Sequence, residues 1–168
     1  MARRYSVRLQ GGISPEEVRL LQMKKAREQL ANATFDSLDA MMQAYAAEAV
    51  RIAASERDMK LDYSAASIEA LEIILDALAP APEDDLEWLT KLWGSYFGEI
   101  FHRRYPSEWT MSEYPGENFA VPTLEIGGSR IYPLLKVQRR LTMGASESLV
   151  TFAEMARKRL DALHPLTN

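Results

Sequence analysis

Residues 89–109 read LTKLWGSYFGEIFHRRYPSEW, and the rest of the chain is organised around this stretch. On a helix with about 3.6 residues per turn, the apolar side chains here and just before it cover about half of the circumference. An apolar arc of that width is typical of a helix that runs through a core, because a surface helix has a narrower stripe. The arc contains Leu86, Leu89, Leu92, Trp93, Tyr96, Phe97, Ile100 and Phe101.

Two glycines, Gly94 and Gly98, lie on the remaining arc of this predicted helix. A glycine inside a helix destabilises it by about 1 kcal/mol relative to alanine, so a compensating contact is expected. The usual contact is another segment that approaches too closely for a side chain to fit. We therefore predict that a neighbouring segment presses against the helix over residues 86–104 at both glycines.

The composition limits the class of protein. A chain of 168 residues with 47% hydrophobic and 26% charged residues has the size and make-up of a globular domain. Without cysteine it has no disulfide, thiolate metal site or cysteine nucleophile. The net charge of −4 argues against a nucleic-acid binder. Neither a signal peptide nor a membrane span is visible, so we expect a soluble cytoplasmic protein with no cofactor, nucleic-acid or membrane partner.

Residues 1–58 are predicted to form an N-terminal tail and a helical extension. Residues 1–12 are typical of a basic tail or a short edge strand. Ser14, Pro15 and Glu17 then have the spacing of a capping box with proline at the first helical position, which predicts a sharp helix start.

A narrow apolar seam follows over residues 35–52, with spacings of three and four. Such a seam either packs antiparallel on a helix of the same chain or forms a homodimer. We favour packing within the chain, because alanines lie at the contact. The seam consists of Phe35, Leu38, Met42, Tyr45, Ala49 and Ile52.

Residues 59–168 are predicted to form a compact α+β domain, mainly helical, with a small antiparallel sheet of two or three strands. The sheet prediction depends on Gly127-Gly128, a two-residue loop that places Glu125 opposite Arg130 in a hairpin. Pro133 is predicted to open a short helix. In the last helix Ser146 is predicted as the cap, and a buried stripe is expected to end at Leu163.

Glu99 and His102 are three residues apart on one face of the central helix, a spacing that dinuclear metal sites use. Such sites need a second copy of the pair and two further carboxylates, and the only other histidine, His164, lies with Asp161 at the end of the last helix. We therefore favour a structural role in which Glu99 pairs with Arg103 or accepts backbone N–H groups. Two charged clusters are equally ambiguous. The acidic Glu69, Glu72 and Asp76 and the basic Lys136, Arg139 and Arg140 either dock a partner or form solvated or mutually paired faces, and we favour the second interpretation.

Three segments of residues 61–155 follow one another in the order LDYSAASIEALEIIL, LWGSYFGEIFHRRYPSEW and FAVPTLEIGGSRIYPLLKVQRRLTMGASESLVTF. With these segments, residues 61–155 resemble a family of bacterial domains of unknown function. The resemblance implies a compact α+β domain and assigns no reaction. The matching positions are Ser64, Ser67, Gly94, Tyr96, Gly98, Glu99, Trp109, Pro133, Val137 and Gly144.

The function that we expect is that of a non-catalytic binding or regulatory module, with a groove beside the central helix. Its predicted lining is Tyr96, Glu99, Arg103 and Trp109. The partner would be a protein or a small molecule. The alternative is a metal-dependent or hydrolytic enzyme that uses Glu99 and His102. A homodimer through the 35–52 helix is the third interpretation.

Overall fold

The computed structural model describes residues 12–164, and the chain divides after Thr34 into two compact units. The first unit contains helix α1, Pro15–Asn32. Its predicted capping box is confirmed: Glu17 N–H donates to Ser14 Oγ at 3.1 Å, and Ser14 N–H donates to Glu17 Oε2 at 3.3 Å. The predicted tail or edge strand over residues 1–12 lies outside the described residues, except for Gly12.

The second unit contains the other helices and the sheet, as predicted for a mainly helical α+β fold. Among the described residues the fold has six α-helices and one antiparallel sheet with strand order β1-β2-β3. In residues 12–164 no helix combines the length and the apolarity that crossing a bilayer requires. The elements are α2 (Leu38–Arg57), α3 (Ser67–Leu78), α4 (Glu83–Arg104), β1 (Glu108–Glu113), β2 (Ala120–Ile126), β3 (Ser129–Ile131), α5 (Pro133–Met143), a short 3-10 helix (Gly144–Glu147) and α6 (Leu149–Leu163).

Helix α4 is the centre of the second unit, since all ten residues from 92 to 101 are buried. Helix α2 packs antiparallel on it: Ser95 contacts Met42 near the start of α2, and Trp88 contacts Tyr45 one turn later. The apolar seam of α2 is therefore buried within the unit. The two compact units meet in the sequence at 34/35, and the division at 58/59 stays a prediction. Of the seam residues, Met42, Tyr45 and Ala49 are buried, with Ala46 and Ala53 beside them, and the other three are partly buried.

The predicted close contact at the two glycines of α4 is confirmed. A Cβ added at Gly98 would lie 2.2 Å from the indole ring of Trp109. One added at Gly94 would lie 2.8 Å from the Cα of Leu134. The missing side chains thus let β1 and the start of α5 lie directly against α4, which fixes where the sheet and α5 sit.

The hairpin register is confirmed as well. Ile126 pairs with Ser129 and Glu125 with Arg130, whose Nε lies 3.0 Å from the Glu125 carboxylate.

The start of the last helix was predicted wrongly. Gly144, at φ +83°, ends α5, and a 3-10 helix follows, so the cap of α6 is Ser148 and not Ser146. Leu163, expected in the buried stripe, is exposed.

One residue of the basic cluster, Arg140, pairs across helices with two of the acidic cluster, Glu72 and Asp76. Arg140, only 2% exposed, donates from Nε to Glu72 at 2.7 Å and from Nη2 to Asp76 at 2.9 Å. Glu72 also accepts the N–H of Leu149 at 2.8 Å and the hydroxyl of Ser148 at 2.7 Å. One carboxylate therefore joins α3, α5 and the start of α6, where a helix dipole favours negative charge.

This network predicts that stability falls in acid. Burial raises the pKa of Glu72, but hydrogen bonds from Ser148, Arg140 and the Val150 amide outweigh it, so the pKa lies below its ordinary value. A carboxyl whose pKa is lowered by folding stabilises the protein above its unfolded pKa of about 4.3, and loses that contribution as pH falls through the folded pKa. We therefore expect the free energy of unfolding of the parent, measured with urea, to exceed that of Glu72→Gln at pH 7. This difference should become smaller as the pH falls to about 3. A difference independent of pH would contradict this.

Candidate functional site

A groove of about 340 Å³ lies beside the C-terminal half of α4, between α4, the loop before α3, and α6. We call it the Tyr63 groove. Every charged side chain that lines it is an arginine. Its lining residues are Tyr63, Ser64, Ala65, Ile68, Ile100, Phe101, Arg103, Arg104 and Arg157.

Tyr63 is held in a strained conformation at one wall of this groove. Its φ is +63°, the left-handed region that costs a residue with a Cβ about 1–2 kcal/mol. Three contacts hold it there. Its N–H donates to the Tyr96 hydroxyl at 2.9 Å, its ring lies 4.9 Å from the Tyr96 ring, and the Arg103 guanidinium stacks on it at 3.3 Å from the ring centroid. Strained residues of this kind cluster at binding and catalytic sites.

The Tyr96 hydroxyl, which accepts from the Tyr63 N–H, is part of a chain of hydrogen bonds that continues to Ser67. The Ser67 hydroxyl donates to the carbonyl of Ser64 at 2.6 Å, so the Tyr96 hydroxyl, 2.7 Å from Ser67 Oγ, donates to that oxygen. Burial is the main reason why the pKa values of Tyr63 and Tyr96 are raised above their ordinary value. Both phenols therefore stay neutral near pH 7, and neither adds a negative charge to the groove.

The arginines leave the groove with excess positive charge. Arg104 pairs with Asp161 at 3.4 Å, but Arg103 and Arg157 contact no carboxylate among the described residues. The Nε–H of Arg157 is buried and has no acceptor within residues 12–164. Buried donors in proteins almost always have an acceptor. The lining thus has two arginines without a carboxylate in contact, and one of them, Arg157, has a covered Nε–H that lacks an acceptor among the described residues.

Of the four residues predicted to line a groove, the structure brings Arg103 to the surface and buries the others. Trp109 donates its indole N–H to Glu99 Oε2 at 3.0 Å, and both side chains are at most 4% exposed. Tyr96 is fully buried beneath Tyr63. The predicted pair between Glu99 and Arg103 does not form: Glu99 accepts from Trp109, and Arg103 stacks on Tyr63. Glu99 and Trp109 therefore position β1 against Gly98, while Tyr96 and Arg103 shape the Tyr63 groove.

His102 does not contact Glu99 but connects two other elements. Its Nε2 lies 3.1 Å from Asp39 Oδ1, and its Nδ1 lies 2.7 Å from Ser107 Oγ. The carbonyl of Tyr105, 2.9 Å from the Ser107 hydroxyl, is a second acceptor for the hydroxyl proton besides Nδ1. Within the part of the chain that the structure describes, no group of three or more His, Asp or Glu side chains could hold a metal ion.

Two residues of the groove, Tyr63 and Arg157, were missed by sequence reasoning. Tyr63 lies in the loop before α3, and no pattern in the neighbouring sequence indicates a positive φ. Arg157 belongs to the basic run 157–159, and a basic run in the last turns of a helix is expected from the helix dipole alone. Comparisons with protein-family models, with curated protein sequences and with solved structures find no match to this chain. The resemblance of residues 61–155 to a bacterial domain family therefore stays a prediction.

Proposed function

We propose that this protein is a non-catalytic binding module, and that the Tyr63 groove holds a small oxyanion, a carboxylate or a phosphate. The observation that carries the proposal is the buried Arg157 Nε–H, which finds no acceptor among the described residues. An oxyanion in the groove would supply that acceptor.

The chemistry of the lining favours an oxyanion over other small ligands. Guanidinium groups bind carboxylate and phosphate in paired, charge-assisted hydrogen bonds. Arg103 adds a second charge, and its stacking on Tyr63 restricts its orientation. The volume of about 340 Å³ falls at the lower end of small-molecule sites. A ligand with one or two anionic groups and little apolar surface fits these limits.

Calorimetric titration of the full chain with inorganic phosphate, and separately with succinate, tests this proposal and distinguishes the two anions. A charge-assisted hydrogen bond contributes about 1.5–3 kcal/mol, so Arg157→Gln should weaken binding at least about tenfold. Arg103→Gln should weaken it as well.

The matched control is Arg51→Gln, which removes the same charge from an exposed pair with Glu48 on α2. It should leave the affinity unchanged. Equal loss of affinity in all three variants would mean that only the net charge matters. That result, or no binding of either anion by the parent protein, would refute the groove as the site.

The alternative proposal, an enzyme that uses His102, has one specific observation in its favour. Asp39, His102 and Ser107 lie in the order carboxylate, imidazole, hydroxyl that hydrolases use. It has less support, because the Tyr105 carbonyl, 2.9 Å from the Ser107 hydroxyl, competes with the imidazole for the hydroxyl proton. Hydrolysis of p-nitrophenyl acetate that disappears in both His102→Gln and Ser107→Ala would favour the enzyme over the binding module.

A homodimer through the 35–52 helix also has less support as a proposal. The apolar side chains that would form its seam are buried against α4. A dimer would have to use the outer face of α2, which carries the polar residues Gln43 and Arg51. We therefore propose that the module binds its ligand as a single chain.

A further inference from the structure

A second cleft lies on the other side of α6, between that helix, α5 and the β2–β3 hairpin. Its volume is about 540 Å³, well within the range of small-molecule sites. We call it the hairpin cleft. It shares no lining residue with the Tyr63 groove, and most of its lining is apolar or aromatic. The lining residues are Tyr114, Gly128, Ser129, Arg130, Ile131, Tyr132, Leu135, Lys136, Arg139, Phe152, Met155, Ala156, Arg159 and Leu160.

The walls of the hairpin cleft present flat and aliphatic surfaces to a ligand. Tyr114 and Tyr132 pack edge to face, with ring centroids 4.9 Å apart. Phe152 is half-buried on the α6 side, and Met155, which is 68% exposed, lies at the cleft as an adaptable thioether. Exposed methionines and aromatic rings are typical of surfaces that accept apolar ligands.

All four charged side chains in the lining are cationic, although the whole chain has a net charge of −4. Lys136 and Arg130 are neutralised by Glu147 and Glu125, neither of which lines the cleft. Arg139 donates to the hydroxyl of Tyr114 at 3.2 Å and contacts no carboxylate among the described residues. Arg159 likewise contacts no carboxylate within residues 12–164.

We infer that the hairpin cleft binds a small amphiphilic anion: a carboxylate, sulfonate or phosphate group carried on an aromatic or aliphatic body. Arg139 and Arg159 pair with the anionic group, and the apolar walls cover the body. Charge complementarity selects this class, because the lining has four cationic side chains, two of them without a carboxylate in contact, and no acidic side chain to repel the anion. The inference is independent of the Tyr63 groove, whose oxyanion has no apolar body.

The test uses two dyes of the same shape, anilinonaphthalene sulfonate and its uncharged analogue N-phenylnaphthylamine, titrated into the full chain by fluorescence. The sulfonate should bind with one-to-one stoichiometry and more tightly than the uncharged dye. The double variant Arg139→Gln/Arg159→Gln should bind the sulfonate dye at least about tenfold more weakly than the parent and bind the uncharged dye with unchanged affinity. Near-UV circular dichroism verifies that the variant is folded. If it is not, the exposed Arg159→Gln alone should still weaken the sulfonate measurably.

Arg157→Gln, a variant of the Tyr63 groove, is the control, because it should lower the affinity for phosphate and leave the affinity for the sulfonate dye unchanged. The two proposals can therefore fail separately. Equal affinity for the two dyes, or an unchanged affinity in the double variant, would overturn the assignment of the hairpin cleft. An octaglutamate peptide that binds more tightly than the dye would also overturn it, in favour of an acidic protein segment.

Discussion

Gly98→Ala is expected to lower the free energy of unfolding by about 3 kcal/mol, the sum of three effects. Its Cβ would lie 2.2 Å from the indole of Trp109 and 3.0 Å from Pro133, and overpacking of a core typically costs about 1–3 kcal/mol. Displacing the indole also removes the hydrogen bond to buried Glu99, for about 1–3 kcal/mol more. The better helix propensity of alanine returns about 1 kcal/mol. Urea unfolding followed by circular dichroism measures the difference.

Gly128→Ala is the control for this prediction. A Cβ at Gly128 would have no atom within 4 Å among the described residues, and its φ lies outside the left-handed region. We expect a change within about 0.5 kcal/mol, as for other surface substitutions. A Gly98→Ala protein as stable as the Gly128→Ala protein would mean that β1 does not lie against α4 as described.

Arg140→Met is expected to lower the free energy of unfolding by about 3 kcal/mol. The guanidinium is buried between Glu72 and Asp76, and removal of one partner from a buried pair typically costs about 3–5 kcal/mol. We choose the lower end because Glu72 keeps its hydrogen bonds from Ser148 and Leu149. The measurement is the urea midpoint at pH 7, where Glu72 is ionised.

The matched control is Arg130→Met, which breaks the exposed pair with Glu125 on the hairpin. Exposed pairs contribute about 0–1 kcal/mol, so this variant should remain close to the parent. If both variants lose the same stability, burial does not distinguish the two pairs, and the network that joins α3, α5 and α6 is not what holds these helices together.

The architecture could be predicted because its determinants are local in sequence. The wide apolar arc of α4 identified the central helix, and Gly94 and Gly98 indicated a close contact at that helix. The Gly127-Gly128 loop fixed the hairpin register. Capping was less reliable: Ser146 and Ser148 are both plausible caps, and the choice depends on Glu72, which comes from a helix about 75 residues earlier.

The candidate site was less predictable, because its residues meet only through tertiary contacts. Tyr96, Glu99 and Trp109 were selected because a helix edge with two glycines and a nearby tryptophan can form a polar-rimmed groove, but their polar atoms are satisfied inside the core by Ser67 and by each other. Arg103 was predicted to pair with Glu99 on its own helix. It instead stacks on Tyr63, a residue 40 positions earlier whose positive φ no local pattern indicates.

The most direct test of the account is the Arg157 Nε–H resonance in a ¹H–¹⁵N spectrum of the full chain, assigned by its loss in Arg157→Lys and followed during titration with phosphate. We predict that the resonance shifts downfield and saturates as the buried donor gains an acceptor. A resonance that stays in place while phosphate binds elsewhere would contradict the proposal that the Tyr63 groove binds phosphate. If neither phosphate nor succinate binds, the proposal that the groove is an oxyanion site is wrong.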